Sequence, residues 1–208
     1  TSLLLFYINF AKIQIVKRII YIANLFLLLG VFGSCAKLQQ KKEYFLNQEF
    51  KKYFKFGAQS SWNYVENGGS STAASMELNT PKEGILDLGE VKQEFFSYEL
   101  NGTGTKNMLL RAVADEDKIS RMSLFVSDTT YKVIVELFYL DGVFTSYAGR
   151  NDVLIEHASK EINGKTYSDV IELQLNENEF YEKVFFAAQV GIIALEEKSS
   201  RDLFLNSY

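Results

Sequence analysis

The sequence contains a single histidine, His157, and a single cysteine, Cys35. A triad of serine, histidine and acid would have to use His157 itself, and the G-x-S-x-G turn that often carries the nucleophilic serine is missing. One histidine also cannot supply the two-histidine ligand sets of many catalytic zinc sites. The sequence therefore names no catalytic residue, no metal ligand and no cofactor.

Gly164-Lys165-Thr166 has the same residues as the end of a phosphate-binding loop. The first glycine of such a loop would fall at position 159, which is Ser159, so the backbone cradle for a phosphate cannot form. Asn163-Gly164 is instead typical of a two-residue hairpin turn, because a type I′ turn needs positive φ at both central positions. The tripeptide predicts a turn.

Carboxylates are the plentiful reactive groups, with 26 Asp and Glu residues in the chain. A glycosidase needs two of them facing each other across a cleft, at roughly 5–10 Å. The acidic run Asp115-Glu116-Asp117 lacks the central glycine and the alternating oxygens of a calcium loop, so it predicts a solvated turn. A carboxylate-based hydrolase acting on envelope or dietary polysaccharide remains the alternative function.

The charges are divided unevenly along the chain. Residues 1–35 carry Lys12, Lys17 and Arg18 and no acid, which leaves 19 basic against 26 acidic residues in the remainder. An acidic surface repels phosphate backbones, and no basic stripe interleaved with aromatics is present. We therefore expect no nucleic-acid partner.

The N-terminal segment has the layout of an export signal. Two basic residues precede an apolar stretch over residues 19–32, which is shorter than the roughly 20 residues of a membrane-spanning helix. Phe32-Gly33-Ser34-Cys35 resembles the lipobox of bacterial lipoproteins, in which a diacylglycerol is attached to the cysteine and the chain is cut just before it. The resemblance predicts that Cys35 is lipidated.

This prediction divides the chain into a signal peptide or membrane anchor (1–34), the lipidated cysteine with a tether (35–52) and a domain (53–208). Acyl chains such as palmitate would hold the protein on a membrane, because each buried CH₂ contributes about 0.8 kcal/mol. The expected location is the cell envelope, at the outer membrane or the cell surface. An uncleaved anchor and a plain buried helix remain as alternatives, since residues 1–16 are also apolar and a signal does not need them.

Apolar residues beyond position 50 recur mostly at every second position, which predicts a mainly β domain with antiparallel strands. Alternate residues from Tyr131 to Tyr139 would form one apolar face of a strand, and Asp141-Gly142 directly after it predicts a hairpin.

Other segments give further strand predictions. A second hairpin is predicted at Asn101-Gly102, and a strand is predicted near residues 121–126. Residues 182–197 are compatible with one strand, and residues 40–52 could form a short helix.

Several motifs resemble those of uncharacterised lipoproteins common in Bacteroidota. The resemblance covers most of residues 53–208 and implies a curved antiparallel sheet or open barrel, similar to lipocalin-like and lipid-carrier proteins, after an N-terminal signal or anchor helix. It implies no catalytic residue. The positions that carry it are Tyr53-Phe54, Trp62-x-Tyr64, Asn163-Gly164-Lys165-x-Tyr167-x-Asp169-Val170-Ile171, Phe185-Phe186-Ala187, Val190-Gly191-Ile192-Ile193 and Leu203-x-Leu205.

The chain is rich in aromatic residues, with 17 Phe, 12 Tyr and one Trp. Sheets favour aromatics in any case, but some could line an apolar ligand cavity. The candidates are Trp62 and Tyr64 on one segment, and Phe96 and Tyr98 within the segment that begins at Phe95.

Three kinds of function remain open from the sequence. We expect a non-enzymatic, membrane-anchored binding or envelope-structural protein, whose partner is an apolar small molecule or an envelope protein. The polysaccharide hydrolase is the second possibility. A purely structural subunit, with a solid core and a large exposed apolar patch, is the third.

Overall fold

The computed structural model describes residues 41–67, 69–79, 81–127, 131–146, 152–176 and 178–208. The predicted signal or anchor helix and Cys35 lie outside these residues. The described chain is mainly β. Its elements are β1 (Lys42–Tyr44), α1 (Gln48–Phe54), β2 (Ser61–Glu66), β3 (Ala74–Leu78), β4 (Lys82–Asp87), β5 (Val91–Thr103), β6 (Asn107–Ala114), a 3₁₀ turn (Glu116–Lys118), β7 (Ser120–Ser127), β8 (Tyr131–Leu140), β9 (Val143–Ser146), β10 (Val153–Ile162), β11 (Lys165–Gln174), β12 (Tyr181–Ala187), β13 (Gly191–Glu197) and β14 (Asp202–Ser207).

The strands described form one curved sheet in the order β10-β11-β12-β13-β14-β2-β3-β5-β6-β7-β8-β9. Neighbours along this path are antiparallel, and the two terminal strands, β9 and β10, approach each other. The result is a nearly closed, barrel-like sheet, which confirms the predicted mainly β, curved antiparallel fold. Strands β1 and β4 lie off the path, each paired with the long strand β5.

Two predicted hairpin turns are confirmed. Asp141 and Gly142, between β8 and β9, have φ of 51° and 91°, and Asn163 and Gly164, between β10 and β11, have φ of 48° and 74°. Positive φ at both central positions is the type I′ geometry expected for Asp-Gly and Asn-Gly.

The hairpin predicted at Asn101-Gly102 is wrong. Both residues lie inside β5, where Asn101 pairs with Glu77 and Gly102 with Met76 of β3. Pairing with this distant strand keeps the backbone extended, and the chain reverses at Gly104 instead, with φ of 70°.

Residues 182–197 form a hairpin rather than one strand. Strands β12 and β13 are joined by a turn in which Gln189 has φ of 65°, and Gly191 follows with φ of 93°. A Cβ atom on Gly191 would lie 2.8 Å from the Phe56 ring and 3.1 Å from the Trp62 ring. This glycine is therefore a position of close approach between the hairpin and the core.

The apolar face predicted for β8 is interrupted by a bulge. Val135 pairs with Leu124, but Val133 pairs with Phe125, so Ile134 is an extra residue in β8. Val133 consequently lies on the face opposite Val135, whereas Ile134 is buried with it.

The helix α1 closes one end of the barrel. Asn47 caps it by accepting a hydrogen bond from the Glu49 backbone N–H at 2.8 Å. The fully buried rings of Phe50 and Phe54 pack against rings from β9 and β12, with Phe54 5.2 Å from Phe186 between ring centroids.

We call this end of the barrel the helix end. Because neighbouring strands are antiparallel, the β4–β5, β6–β7, β8–β9, β10–β11 and β12–β13 connections all emerge there. Residues 42–52, which the sequence analysis placed in the tether, supply β1 and most of α1, and they belong to the compact unit Lys42–Tyr208.

Candidate functional site

The four aromatic residues proposed as cavity lining lie in the barrel interior. Trp62, Tyr64, Phe96 and Tyr98 are each no more than 2% exposed. Trp62 Nε1 donates to the Val190 carbonyl at 2.7 Å.

The hydroxyl groups of the two tyrosines are also bonded. Tyr64 Oη donates to the Ile192 carbonyl at 3.0 Å, and Tyr98 Oη donates to Glu83 at 2.6 Å. The stacked rings of Phe96 and Tyr98 lie 5.0 Å apart. These rings fill the interior, and their polar atoms serve to fix the core.

The outward face of strands β5–β8 carries a groove of about 560 Å³, within the size range of small-molecule pockets. Phe95, next to the buried Phe96, is part of it, because alternate residues of a strand point to opposite faces. We call it the outer groove and define it by Phe95, Ser97, Glu99, Leu109, Arg111, Val113, Arg121, Ser123, Phe125 and Glu136.

Strand register arranges the outer groove in three rows. Phe95 pairs with Val113, and Val113 with Arg121. The middle row runs from Ser97 through Arg111 to Ser123 and Glu136, and the third row from Glu99 through Leu109 to Phe125. The middle row is polar. The rows on either side of it combine apolar side chains, Phe95 with Val113 and Leu109 with Phe125, with one charged residue each, Arg121 and Glu99.

Arg111 is the exposed cation at the centre of the groove. Its guanidinium carbon lies 5.5 Å from the centre of the Phe125 ring. Among the described residues Arg111 forms no ion pair, whereas Arg121 lies 3.6 Å from Asp115. The acid in the same row as Arg111, Glu136, accepts a hydrogen bond from Ser123 Oγ at 3.2 Å. A guanidinium that is held over a ring and lacks an acid partner can bind a carboxylate, sulfate or phosphate through two parallel hydrogen bonds.

A second pocket, of about 420 Å³, lies between α1 and the β4–β5 hairpin. Glu83 and Glu94 line it from neighbouring strands at diagonal positions, which places their Cα atoms about 7–8 Å apart. Lys55 Nζ lies 2.9 Å from Glu83, and Lys51 Nζ lies 2.7 Å from Glu94. We call this pocket the helix-side cleft.

The helix-side cleft contains two carboxylates, Glu83 and Glu94, but the protonation state of Glu83 does not suit a glycosidase acid. Burial raises the pKa of Glu83, but the hydrogen bond from Tyr98 Oη at 2.6 Å and the ammonium of Lys55 outweigh it and leave this pKa below its usual value. A glycosidase acid needs a raised pKa to hold its proton. Glu83 is therefore held as a carboxylate, and the cleft does not support the hydrolase hypothesis.

His157 belongs to a cluster of charged side chains on β10 and β11, in which the acid Glu172 is buried and the basic side chains are half-buried. Glu172 is 5% exposed, and its Oε2 accepts a hydrogen bond from Lys160 Nζ at 2.5 Å and lies 2.9 Å from His157 Nε2. Its Oε1 accepts from Gln174 Nε2 at 2.9 Å. Burial raises the pKa of Glu172, but these donors lower it to about 2. The carboxylate stays ionised and fully bonded, which is a structural arrangement.

The described chain has no group of three His, Cys, Asp or Glu side chains placed to hold a metal ion. Within the same residues, no helix combines the length and the hydropathy needed to cross a membrane.

The fold and the grooves define a mainly β protein with a nearly closed, barrel-like sheet and a filled interior. No protein-family model, curated protein or solved structure matches the chain.

The sequence analysis missed Arg111 and Arg121. One signal was available: in Met108-Leu109-Leu110 three consecutive apolar residues occupy a strand, so an outward position must be apolar as well. Which basic residues lie beside that apolar surface depends on the register of β5–β8.

Proposed function

We propose that this chain is a membrane-anchored, non-enzymatic binding protein of the cell envelope, attached at the outer membrane or cell surface through an acylated Cys35. Its binding site is the outer groove. The ligand is a molecule, or a segment of an envelope protein, that combines an apolar body with an anionic group.

The anchoring part of this proposal is supported by the N-terminal sequence. A basic, an apolar and a small-residue region lead into Cys35 in the order of a lipoprotein signal. The folded unit begins at Lys42, so the six residues 36–41 would remain as a tether between lipid and domain. The motifs that resemble those of Bacteroidota lipoproteins favour the same assignment.

The binding part rests on one observation, the exposed Arg111 guanidinium over Phe125 in the floor of the outer groove. Hydrogen bonds to a charged partner contribute about 1.5–3 kcal/mol. The flanking side chains of Phe95, Leu109 and Val113 offer an apolar surface on either side of the charge. Since the interior is filled, this outward groove is the better site for a ligand than the barrel interior.

The test is displacement of a fluorescent anionic probe, 8-anilinonaphthalene-1-sulfonate, by dodecanoate and by its neutral analogue dodecanol. We expect dodecanoate to compete better than dodecanol, and Arg111→Gln to weaken dodecanoate binding about tenfold or more while leaving dodecanol unchanged. Lys198→Gln, which removes an exposed charge at the other end of the sheet, is the matched control. Equal binding of dodecanoate to both variants and wild type would refute the assignment of the groove.

A further inference from the structure

Large apolar side chains are exposed mainly at the helix end of the barrel. Among the exposed large apolar residues of the described chain, only Val153 lies at the opposite end. We call the following set the apolar end patch: Phe45, Ile85, Leu88, Leu140 and Val143.

The fold does not require apolar residues at these positions. Leu88 lies in the β4–β5 turn, and Leu140 and Val143 flank the Asp141-Gly142 turn, where polar residues are usual. Leu88 is 63% exposed and Phe45 is 60% exposed. Apolar side chains gathered at one end of a molecule mark a surface that another body covers.

The start of the folded chain indicates what covers the patch. Strand β1 begins at Lys42, three residues before Phe45. Lys42 pairs with Val91, the first residue of β5, which lies at the helix end. From Cys35 to Lys42 the chain can reach at most about 25 Å. A lipid on Cys35 therefore holds the helix end, rather than the opposite end, close to the membrane.

We propose that the apolar end patch docks onto the lipid bilayer, with Leu88, Val143 and Phe45 inserted among the lipid headgroups. This inference rests on the proposed acylation of Cys35. It adds an orientation: the helix end faces the bilayer, while the outer groove lies on the side of the barrel and stays open to ligand.

The charges around the patch indicate a zwitterionic rather than an anionic lipid surface. Lys92 Nζ is paired with Glu43 at 2.8 Å, so this cation and acid largely cancel. The connection of Asp115, Glu116, Asp117 and Lys118 emerges at the same end. Its three acids and one cation leave a net charge of −2, which anionic headgroups would repel.

The test uses the acylated full chain in phosphatidylcholine vesicles, with single cysteines introduced as Leu88→Cys, Val143→Cys and, as the matched control, Val153→Cys. Cys35 is the only native cysteine, and its sulfur is blocked when it is acylated, so a thiol-reactive environment-sensitive fluorophore labels only the new site. Intact mass confirms acylation and the labelling site, and flotation confirms that the protein remains with the vesicles.

We expect blue-shifted emission at positions 88 and 143 and its quenching by brominated lipid, with water-like, unquenched emission at position 153. Water-like emission at all three positions in protein that is acylated and vesicle-bound would overturn docking and leave anchoring intact. Blue-shifted emission without quenching by lipid would assign the patch to a protein partner and also overturn docking. A label on Cys35, or protein that does not float with vesicles, would refute the proposed anchoring itself.

Discussion

The carboxylate of Glu172 is buried, and neighbouring hydrogen-bond donors and cations keep it ionised. Lys160 and Gln174 donate to it, and His157 lies within hydrogen-bond distance. Lys160 also lies 5.1 Å above the Phe185 ring, so the cluster joins β10, β11 and β12. A buried carboxylate with these partners stabilises the fold only while it is ionised.

This gives a prediction for the pH dependence of stability. The folded pKa of Glu172 is about 2, below its ordinary value of 4.5, so its stabilisation is complete above about pH 5 and is lost as the pH falls towards 2. Glu172→Gln should be about 2 kcal/mol less stable than wild type at pH 7, and this difference should shrink between pH 5 and pH 2. Urea unfolding followed by circular dichroism measures it.

The control for this prediction is Glu182→Gln, which removes an exposed acid from the neighbouring strand. Its stability should follow that of wild type throughout the pH range. A difference between Glu172→Gln and wild type that stays constant from pH 7 to pH 2 would show that the carboxylate charge does not stabilise the fold.

At the residue scale, the numbers and types of residues in the sequence are enough to judge which catalytic and metal sites the chain could form. One histidine and one cysteine were enough to argue against a triad and a two-histidine zinc site. The contact between Arg111 and Phe125 could not be predicted, because these residues lie on different strands and the sequence does not determine the register between β6 and β7.

The hairpins differ in how strongly the core constrains their glycines. Gly142 of the β8–β9 turn and Gly191 after the β12–β13 turn have nearly the same φ, 91° and 93°. No atom lies within 4 Å of a Cβ built on Gly142, whereas a Cβ on Gly191 meets the rings of Phe56 and Trp62. The two positions therefore separate backbone strain from steric clash.

We predict that Gly142→Ala lowers the free energy of unfolding by about 1–2 kcal/mol, from backbone strain alone. Gly191→Ala should cost about 1–3 kcal/mol more, because the two rings must also move. Equilibrium unfolding in urea compares the two variants, and quenching of the Trp62 fluorescence by acrylamide should rise only in Gly191→Ala. Equal losses of stability would mean that the close approach at Gly191 adds nothing.

At the element scale, local chemistry predicts some features and distant pairing decides others. Asp141-Gly142 and Asn163-Gly164 form the turns that their residue types favour. Asn101-Gly102 has an equally good turn sequence, but its pairing with β3, more than 20 residues earlier in the chain, keeps it extended. The short helix predicted within residues 40–52 is present as α1, although it begins only at Gln48, after the cap Asn47, and ends at Phe54. Its position at the end of the barrel could not be predicted, because that depends on packing against distant strands.

At the scale of the whole molecule, the barrel has a filled interior, a groove on its side and an apolar patch at its helix end. Aromatic rings such as Trp62 and Tyr98 close the interior. The proposed binding function therefore uses the outside of the sheet, where Arg111 lies over the Phe125 ring. The chain leaves the patch end towards Cys35, so anchoring, docking and ligand access are compatible in one orientation.

The most direct test of this account is the intact mass and membrane partition of the protein produced in a bacterial host. Wild type should begin at Cys35, carry the mass of attached acyl chains and stay in the membrane fraction. Ser34→Ala, which keeps the cysteine and a small residue before it, should behave in the same way, whereas Cys35→Ala should carry no acyl mass. A wild-type protein that keeps residues 1–34 and has the mass of the unmodified chain would contradict the account.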